Sequence, residues 1–240
     1  EFPVKGSPSR QTDNRTLIDT GVTVLGLISQ FWDNRCTVGN MVAPYMADEV
    51  RPLVATVSVT LQVVDFPAAE EIAPRFDILT TPPTSELAGE LDGAAEWLGV
   101  KIEEILLAAL GRALGRTRGE GTATVDVIGE HRWLFHTVSL MCSDAAPMGP
   151  TEMLQGAHAA LAAAPRRPAA QAEILVNVAA DQSDAAGDHA LELRVRRADG
   201  MLHLDWIYDA NRFDAYSIEE MAEQFPMALI EITSDAAAPL

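Results

Sequence analysis

Two cysteines in 240 residues are too few for a disulfide framework, and Cys36 and Cys142 stand outside any metal-ligand spacing. They read as ordinary thiols, and no metal site is expected. Cations are also scarce. The chain has 17 Lys and Arg against 35 Asp and Glu, a formal net charge of -18. Such a field repels phosphate backbones and anionic lipid surfaces, which disfavours nucleic acid and membrane partners. No apolar run approaches the roughly 20 residues that span a bilayer, and the first residues lack a basic-then-apolar signal pattern. The chain is therefore read as cytoplasmic. Also missing are a G-x-S-x-G elbow, a P-loop, a paired-glycine dinucleotide fingerprint and an H-E-x-x-H pair, so the short motifs with strong mechanisms are absent. Glu1-Phe2 matches what a common cloning site encodes, which leaves open a natural protein that extends upstream.

The length is ample for a large core. Residues 1–16 are polar, without periodicity, and read as a flexible lead-in or a cloning scar. In 17–32, Leu17, Ile18, Val22, Leu25, Ile28 and Trp32 recur at helical spacing, against the opposition of Gly21 and Gly26. The Val- and Thr-rich 54–64 reads as a strand, and 76–79 as another. Pro82-Pro83-Thr84-Ser85 signals a helix start, with Leu87, Leu91, Ala94 and Leu98 marking one face up to a Gly99 stop. A second helix carries a wide stripe from Ile102 to Leu114. Arg112, Arg116 and Arg118 cluster at its carboxyl end, where the dipole favours cations and where a local basic patch is expected. Residues 122–128 and 133–142 read as strands, and 151–164 as a helix broken at Pro165. The alternation indicates an α/β domain.

Asp199-Gly200 suits a type I′ hairpin turn. Pairing Ala198 with Met201 sets Leu191, Leu193 and Val195 opposite Tyr208, Trp206 and Leu204 on an apolar face. Arg194 then meets Asp205, and Arg196 meets His203, on a wet one. Ser217-Ile218-Glu219-Glu220 reads as a capping box opening a last helix, with a kink expected at Pro226.

Candidate chemical groups are few. His131 and His136 fall on opposite strand faces, which opposes a shared ion or relay. His158 has no carboxylate three or four residues away on its helix, His203 has a cross-strand role, and His189 lies in a polar turn that reads as solvated. Glu103-Glu104 and Glu219-Glu220 point in different directions around their helices and read as solvated faces. Asp126, flanked by Val125 and Val127 in a core strand, must face water, a cation or a site, and Arg132 is the candidate partner. An ion pair that organises strands is the first reading of Asp126, and catalysis the second.

Taken in order, Glu96-Trp97-Leu98-Gly99-Val100, Ile105-Leu106-Leu107-Ala108-Ala109-Leu110-Gly111-Arg112-Ala113-Leu114 and Val125-Asp126-Val127 carry a resemblance. So do the later Ala164-Pro165-Arg166-Arg167, Glu173-Ile174-Leu175-Val176-Asn177 and Trp206-Ile207-Tyr208-Asp209-Ala210-Asn211-Arg212-Phe213. The chain resembles the second, C-terminal lobe of condensation- and epimerization-type domains of nonribosomal peptide synthetases, over about residues 76–234. The resemblance implies a chloramphenicol acetyltransferase-like α/β fold with a mixed sheet packed by helices. It divides the chain into a lead-in (1–16), an extension or end of a first lobe (17–75), the second lobe (76–234) and a tail (235–240).

The resemblance also implies chemistry that the chain lacks. Such domains take a histidine from an H-H-x-x-x-D-G motif on the first lobe, in a tunnel that receives carrier-bound substrates, and no such motif occurs here. A glutamate of the epimerization branch falls on Ile128. The aromatic residue after the family asparagine, here Asn177, is Val178, and a Gly-Trp-Phe-like tunnel strand is matched only by Ser139-Leu140-Met141. Asp126, Arg132 and Asn177 remain as binding or tunnel-lining candidates, with no catalytic residue assigned. No cofactor is implied beyond contact with the phosphopantetheine of a carrier protein. A binding or scaffolding lobe is the leading reading; one half of an acyl or aminoacyl transferase, its histidine on another lobe, is the alternative. An unrelated hydrolase or transferase around Asp126 and Asn177 carries least weight. The expected partners are a partner lobe, a synthetase domain or a carrier protein, and exposed apolar surface points to association, including with a second copy.

Overall fold

A computed structural model describes residues 59–68, 73–129, 135–144, 148–164, 172–178 and 189–239. All belong to the unit Val54–Leu240, one of the two compact units into which the chain divides. The helix expected over 17–32, Cys36, His131 and Arg132 lie outside the described residues.

After strand β1 (Phe76–Thr84), helix α1 (Ser85–Leu98) opens where the Pro-Pro-Thr-Ser signal falls. The Thr84 hydroxyl accepts the backbone N–H of Glu86 and Leu87, and Gly99 ends the helix at φ 67, a left-handed conformation suited to glycine. Helix α2 (Ile102–Arg118) is buried without a break from Glu104 to Gly115. It is the central helix, not a one-sided one. Strands β2 (Gly121–Ile128) and β3 (Phe135–Cys142) follow, then α3 (Pro150–Ala163), β4 (Ile174–Asn177), β5 (Leu191–Ala198), β6 (Met201–Asp209) and α4 (Ala215–Asp235).

The strands form a six-stranded mixed sheet in the order β1-β6-β5-β4-β2-β3. β4 runs parallel to both β2 and β5, and the other pairs are antiparallel. The hairpin has the expected register throughout, Ala198 against Met201 to Leu191 against Tyr208. Asp199 and Gly200 take φ 54 and 73, as a type I′ turn requires. Period-two alternation then gives the sheet two distinct faces. One carries Val125, Ile174, Leu191, Tyr208, Val127, Val176, Leu193 and Trp206, which form a single core with the buried sides of α1 to α4. Trp206 meets Phe225 of α4 edge to face, with ring centroids 5.6 Å apart. The opposite face carries Asp126, Leu175, Glu192 and Ile207 in one row across β2, β4, β5 and β6. Leu175 and Ile207 are buried but stand apart from the helical core.

Three local expectations change. Residues 59–64 make an isolated bridge, Thr60 to Thr122, and not a strand. The segment then leaves the sheet, with the N–H groups of Asp65 and Phe66 reaching the carbonyl of Arg212. β1 runs beyond 79 to Thr84, with an irregular register between Thr81 and Thr84, where Pro82 and Pro83 have no N–H to give. α4 starts before the capping box: the Asp214 carboxylate accepts the Tyr216 N–H, and Ser217 hydrogen-bonds Asp65 instead. Pro226 lies inside this helix, which continues to Asp235.

Candidate functional site

Among the described residues one sheet face is helix-free, and it concentrates the polar groups. Asp126 is 1% exposed. Its Oδ1 accepts the Thr137 hydroxyl from β3, and its Oδ2 accepts the Ala172 backbone N–H at 3.1 Å. Oδ2 also lies 2.9 Å from His189 Nε2. One carboxylate thus ties β2 and β3 to the starts of β4 and β5. The carboxylate between Val125 and Val127 is buried and fully engaged by groups from neighbouring segments. Arg132, the expected partner, is outside the described residues; among the described residues the group at Asp126 is His189, read from the sequence as a solvated turn residue. Its side chain is only 10% exposed. The reason lies in the sheet order. His189 immediately precedes β5, β5 runs parallel beside β4, and β4 lies beside β2, so the ring reaches the carboxylate across the strand ends. Nothing local to the sequence encodes that neighbourhood.

Asn177 joins a separate network. It is buried, and its Nδ2 donates to Glu192 Oε1 at 2.9 Å. Arg194 donates Nε to that same oxygen at 3.0 Å and Nη2 to Oε2 at 3.2 Å. Arg194 stands opposite Asp205 in register, yet its guanidinium turns to Glu192, and Asp205 is taken by Arg196 at 2.7 Å and by the Thr80 hydroxyl at 2.8 Å. The hairpin's wet face is thus a hydrogen-bonded polar layer, with Glu192 3% and Asp205 8% exposed. Burying such charges is tolerable only when each is paired. Of the tunnel-strand match, Leu140 points into the helical core while Ser139 and Met141 are exposed.

Other expectations are corrected. Glu104 is buried and not a solvated carboxylate, with its Oε2 3.0 Å from His158 Nδ1 of α3; the partner absent from His158's own helix comes from α2. The basic patch does not form. Arg112 is fully buried and donates to the carbonyls of Ser143 and Met148, Arg112 and Arg116 both pair with Glu231, and Arg118 holds Asp65. These cations bind α2 to its neighbours. Cys142 is an inert thiol, as read: burial pushes its pKa up to about 12 against a smaller opposing contribution from the Ala123 backbone. Among the described residues no group of three or more His, Cys, Asp or Glu stands placed to hold a metal ion, and no helix is long and apolar enough to cross a membrane.

No protein-family model matches the chain. A phenolphthiocerol/phthiocerol polyketide synthase polypeptide of Mycobacterium tuberculosis is 28% identical over 229 aligned residues, covering 72% of this chain and 15% of that protein. The chain therefore spans about 15% of the length of the curated relatives it matches. Among solved structures, the epimerization domain from the third module of tyrocidine synthetase B aligns with a TM-score of 0.56 at 14% identity, over 75% of this chain and 53% of that one. The nonribosomal peptide synthetase cyclization-docking bidomain from Sorangium cellulosum also gives a TM-score of 0.56 at 14% identity, over 75% of this chain and 46% of that one. At such identity the likeness is one of fold. The chain has the α/β fold of a condensation-type lobe, as its motif order implied.

Proposed function

We propose that this chain acts as the second lobe of a condensation-type unit in acyl-chain assembly, a binding and scaffolding module that does not turn over alone. The observation that carries the reading is the alignment in which three quarters of this chain covers only 53% of an epimerization domain. Similarity to part of a polyketide synthase supports an assembly-line setting, and with it a cytoplasmic one. The position that the resemblance gives to the epimerization glutamate holds Ile128, at the end of β2, which supports a lobe without that acid–base group. Partner lobes and neighbouring synthase domains are favoured over the acidic body of a carrier protein, because Arg112, Arg116 and Arg118 are consumed by internal contacts. What remains open to a carrier is its neutral pantetheine arm.

A second reading, half of an acyl or aminoacyl transferase completed by a histidine on another lobe, is favoured by the buried Asp126–His189 pair on the helix-free face. Both readings require association. Exposed Phe76, Ile78 and Met141 rim that face, and apolar groups in such a position suit a covering partner. Sedimentation velocity of the chain, alone and mixed with a first lobe bearing H-H-x-x-x-D-G, tests this. The expected result is self-association or a one-to-one complex; a strict monomer in both experiments overturns the proposal.

A further inference from the structure

β1 stands first in the sheet order, and among the described residues its outer side pairs with no strand. Natural edges are blunted by charge, proline or cover, because a bare row of N–H and C=O groups invites pairing with another chain. β1 is blunted only at its ends. Pro82 and Pro83 close one of them, and Asp77 lies 3.7 Å from Arg75 at the other. Between them Ile78-Leu79-Thr80-Thr81 carries no charge in a chain of net charge -18, and Ile78 is 65% exposed. The direction of the backbone follows from the register. The Ala210 N–H donates to the Arg75 carbonyl and Phe76 lies opposite Asp209, so alternation turns the backbone groups of Asp77, Leu79 and Thr81 toward β6. Those of Phe76, Ile78 and Thr80 point outward. The side chains of these three lie on the helix-free face, where Ile78 is opposite Ile207.

We propose that β1 pairs with β1 of a second copy of this chain, antiparallel across a two-fold axis at Ile78, so that the two sheets become continuous. Like charge opposes contact between two acidic copies, and an uncharged strand is where they can meet. Outward groups must meet outward groups, which leaves few registers. An axis at Asp77 would set two carboxylates face to face. One at Leu79 would oppose Phe76 to Pro82, and one at Phe76 would oppose Ile78 to Pro74, and neither proline has an N–H to give. With the axis at Ile78, Phe76 faces the partner's Thr80 and Asp77 faces the partner's Leu79. No charge then meets its like, and about six interchain hydrogen bonds form. Phe76 and Ile78 of both copies meet on one face, the self-complementary contact that a two-fold requires. The pairing deepens the reading of the chain as an associating lobe and rests on it, and the test separates the two.

Sedimentation equilibrium of the intact chain should show a dimer that tightens between about 0.05 and 0.5 M salt, as screening relieves the repulsion of like charge. I78K sets a lysine opposite its own copy and should weaken dimerisation at least about tenfold, whereas the neutral, β-branched I78T should keep it within about threefold. Ile78 is exposed, so circular dichroism of I78K should match the native chain. Under mild oxidation I78C should form an interchain disulfide, because the Cα atoms of a hydrogen-bonded pair lie about 5.5 Å apart. L79C and the native chain, with its Cys36 and Cys142, should not. A dimer untouched by I78K, or one crosslinked by L79C and not by I78C, would overturn the β1 pairing and leave association standing. A chain that is monomeric alone but binds a first lobe would overturn the pairing and keep the lobe reading; a monomer in both experiments would overturn both.

Discussion

Asp65 shows how one side chain secures a segment to the body of the unit. Its carboxylate accepts from Arg118 at 2.6 Å and from the Asp214 N–H at 2.9 Å, joining the stretch before β1 to the end of α2 and the start of α4. Burial alone pushes its pKa up; the bonds from Arg118, Asp214 and Ser217 and the Arg118 charge outweigh that and hold it below the ordinary carboxylate value. The folded value is thus below the unfolded one. The stabilisation is complete above the unfolded pKa and is lost as pH falls through the folded pKa. Thermal melts between about pH 2 and 5 should therefore show a steeper acid loss for the native chain than for D65N, which is also less stable at neutral pH. Parallel profiles would contradict the assignment. At this scale the sequence was legible where a residue's immediate neighbours constrained it. Asp126 between two valines had to find a partner, and Cys142, outside any metal-ligand spacing, read as an ordinary thiol. His189 and Glu104 were illegible because their partners, Asp126 and His158, lie 63 and 54 residues away.

Helix α2 crosses β3 closely, and its glycines set the distance. A Cβ at Gly111 would strike the Met141 carbonyl oxygen, and one at Gly115 the Ser143 backbone. Alanine is favoured over glycine in a helix by about 1 kcal/mol, but here the contacting atoms are backbone and cannot rotate away. G115A should lower stability by about 2 kcal/mol or more, against the propensity scale. At Gly93 of α1, where a Cβ meets nothing within 4 Å, G93A should raise it by up to about 1 kcal/mol. Urea unfolding midpoints check both signs, and a stabilised G115A would show that the α2–β3 approach is looser than described. Elements bounded by local chemistry were legible: the Thr84 cap, the Gly99 stop and the Asp199-Gly200 turn fall where the residues put them. Arginines Arg112, Arg116 and Arg118 were misread because dipole and charge explained them locally, while Ser143, Met148, Glu231 and Asp65 claim them in three dimensions.

For the whole molecule, the hairpin register followed from the turn, but the placement of β4 between β2 and β5 did not. Parallel neighbours are joined by long crossovers, so no turn residue specifies their pairing. That pairing joins the hairpin's wet face to Asp126 and Leu175, so the hairpin part of the polar face was legible from its register, and the Asp126–His189 pair was not. Among the described residues the sheet is packed by helices on one face, and its other face carries paired charges, buried apolar groups and the Asp126–His189 pair. The sequence has Ile128 where the resemblance implies a glutamate, and it contains no H-H-x-x-x-D-G motif. The most direct measurement is mass-spectrometric detection of product when the purified chain alone is given an acyl-pantetheine thioester and an amine acceptor. No product above the uncatalysed background is expected, and sustained turnover by the chain alone would contradict the account.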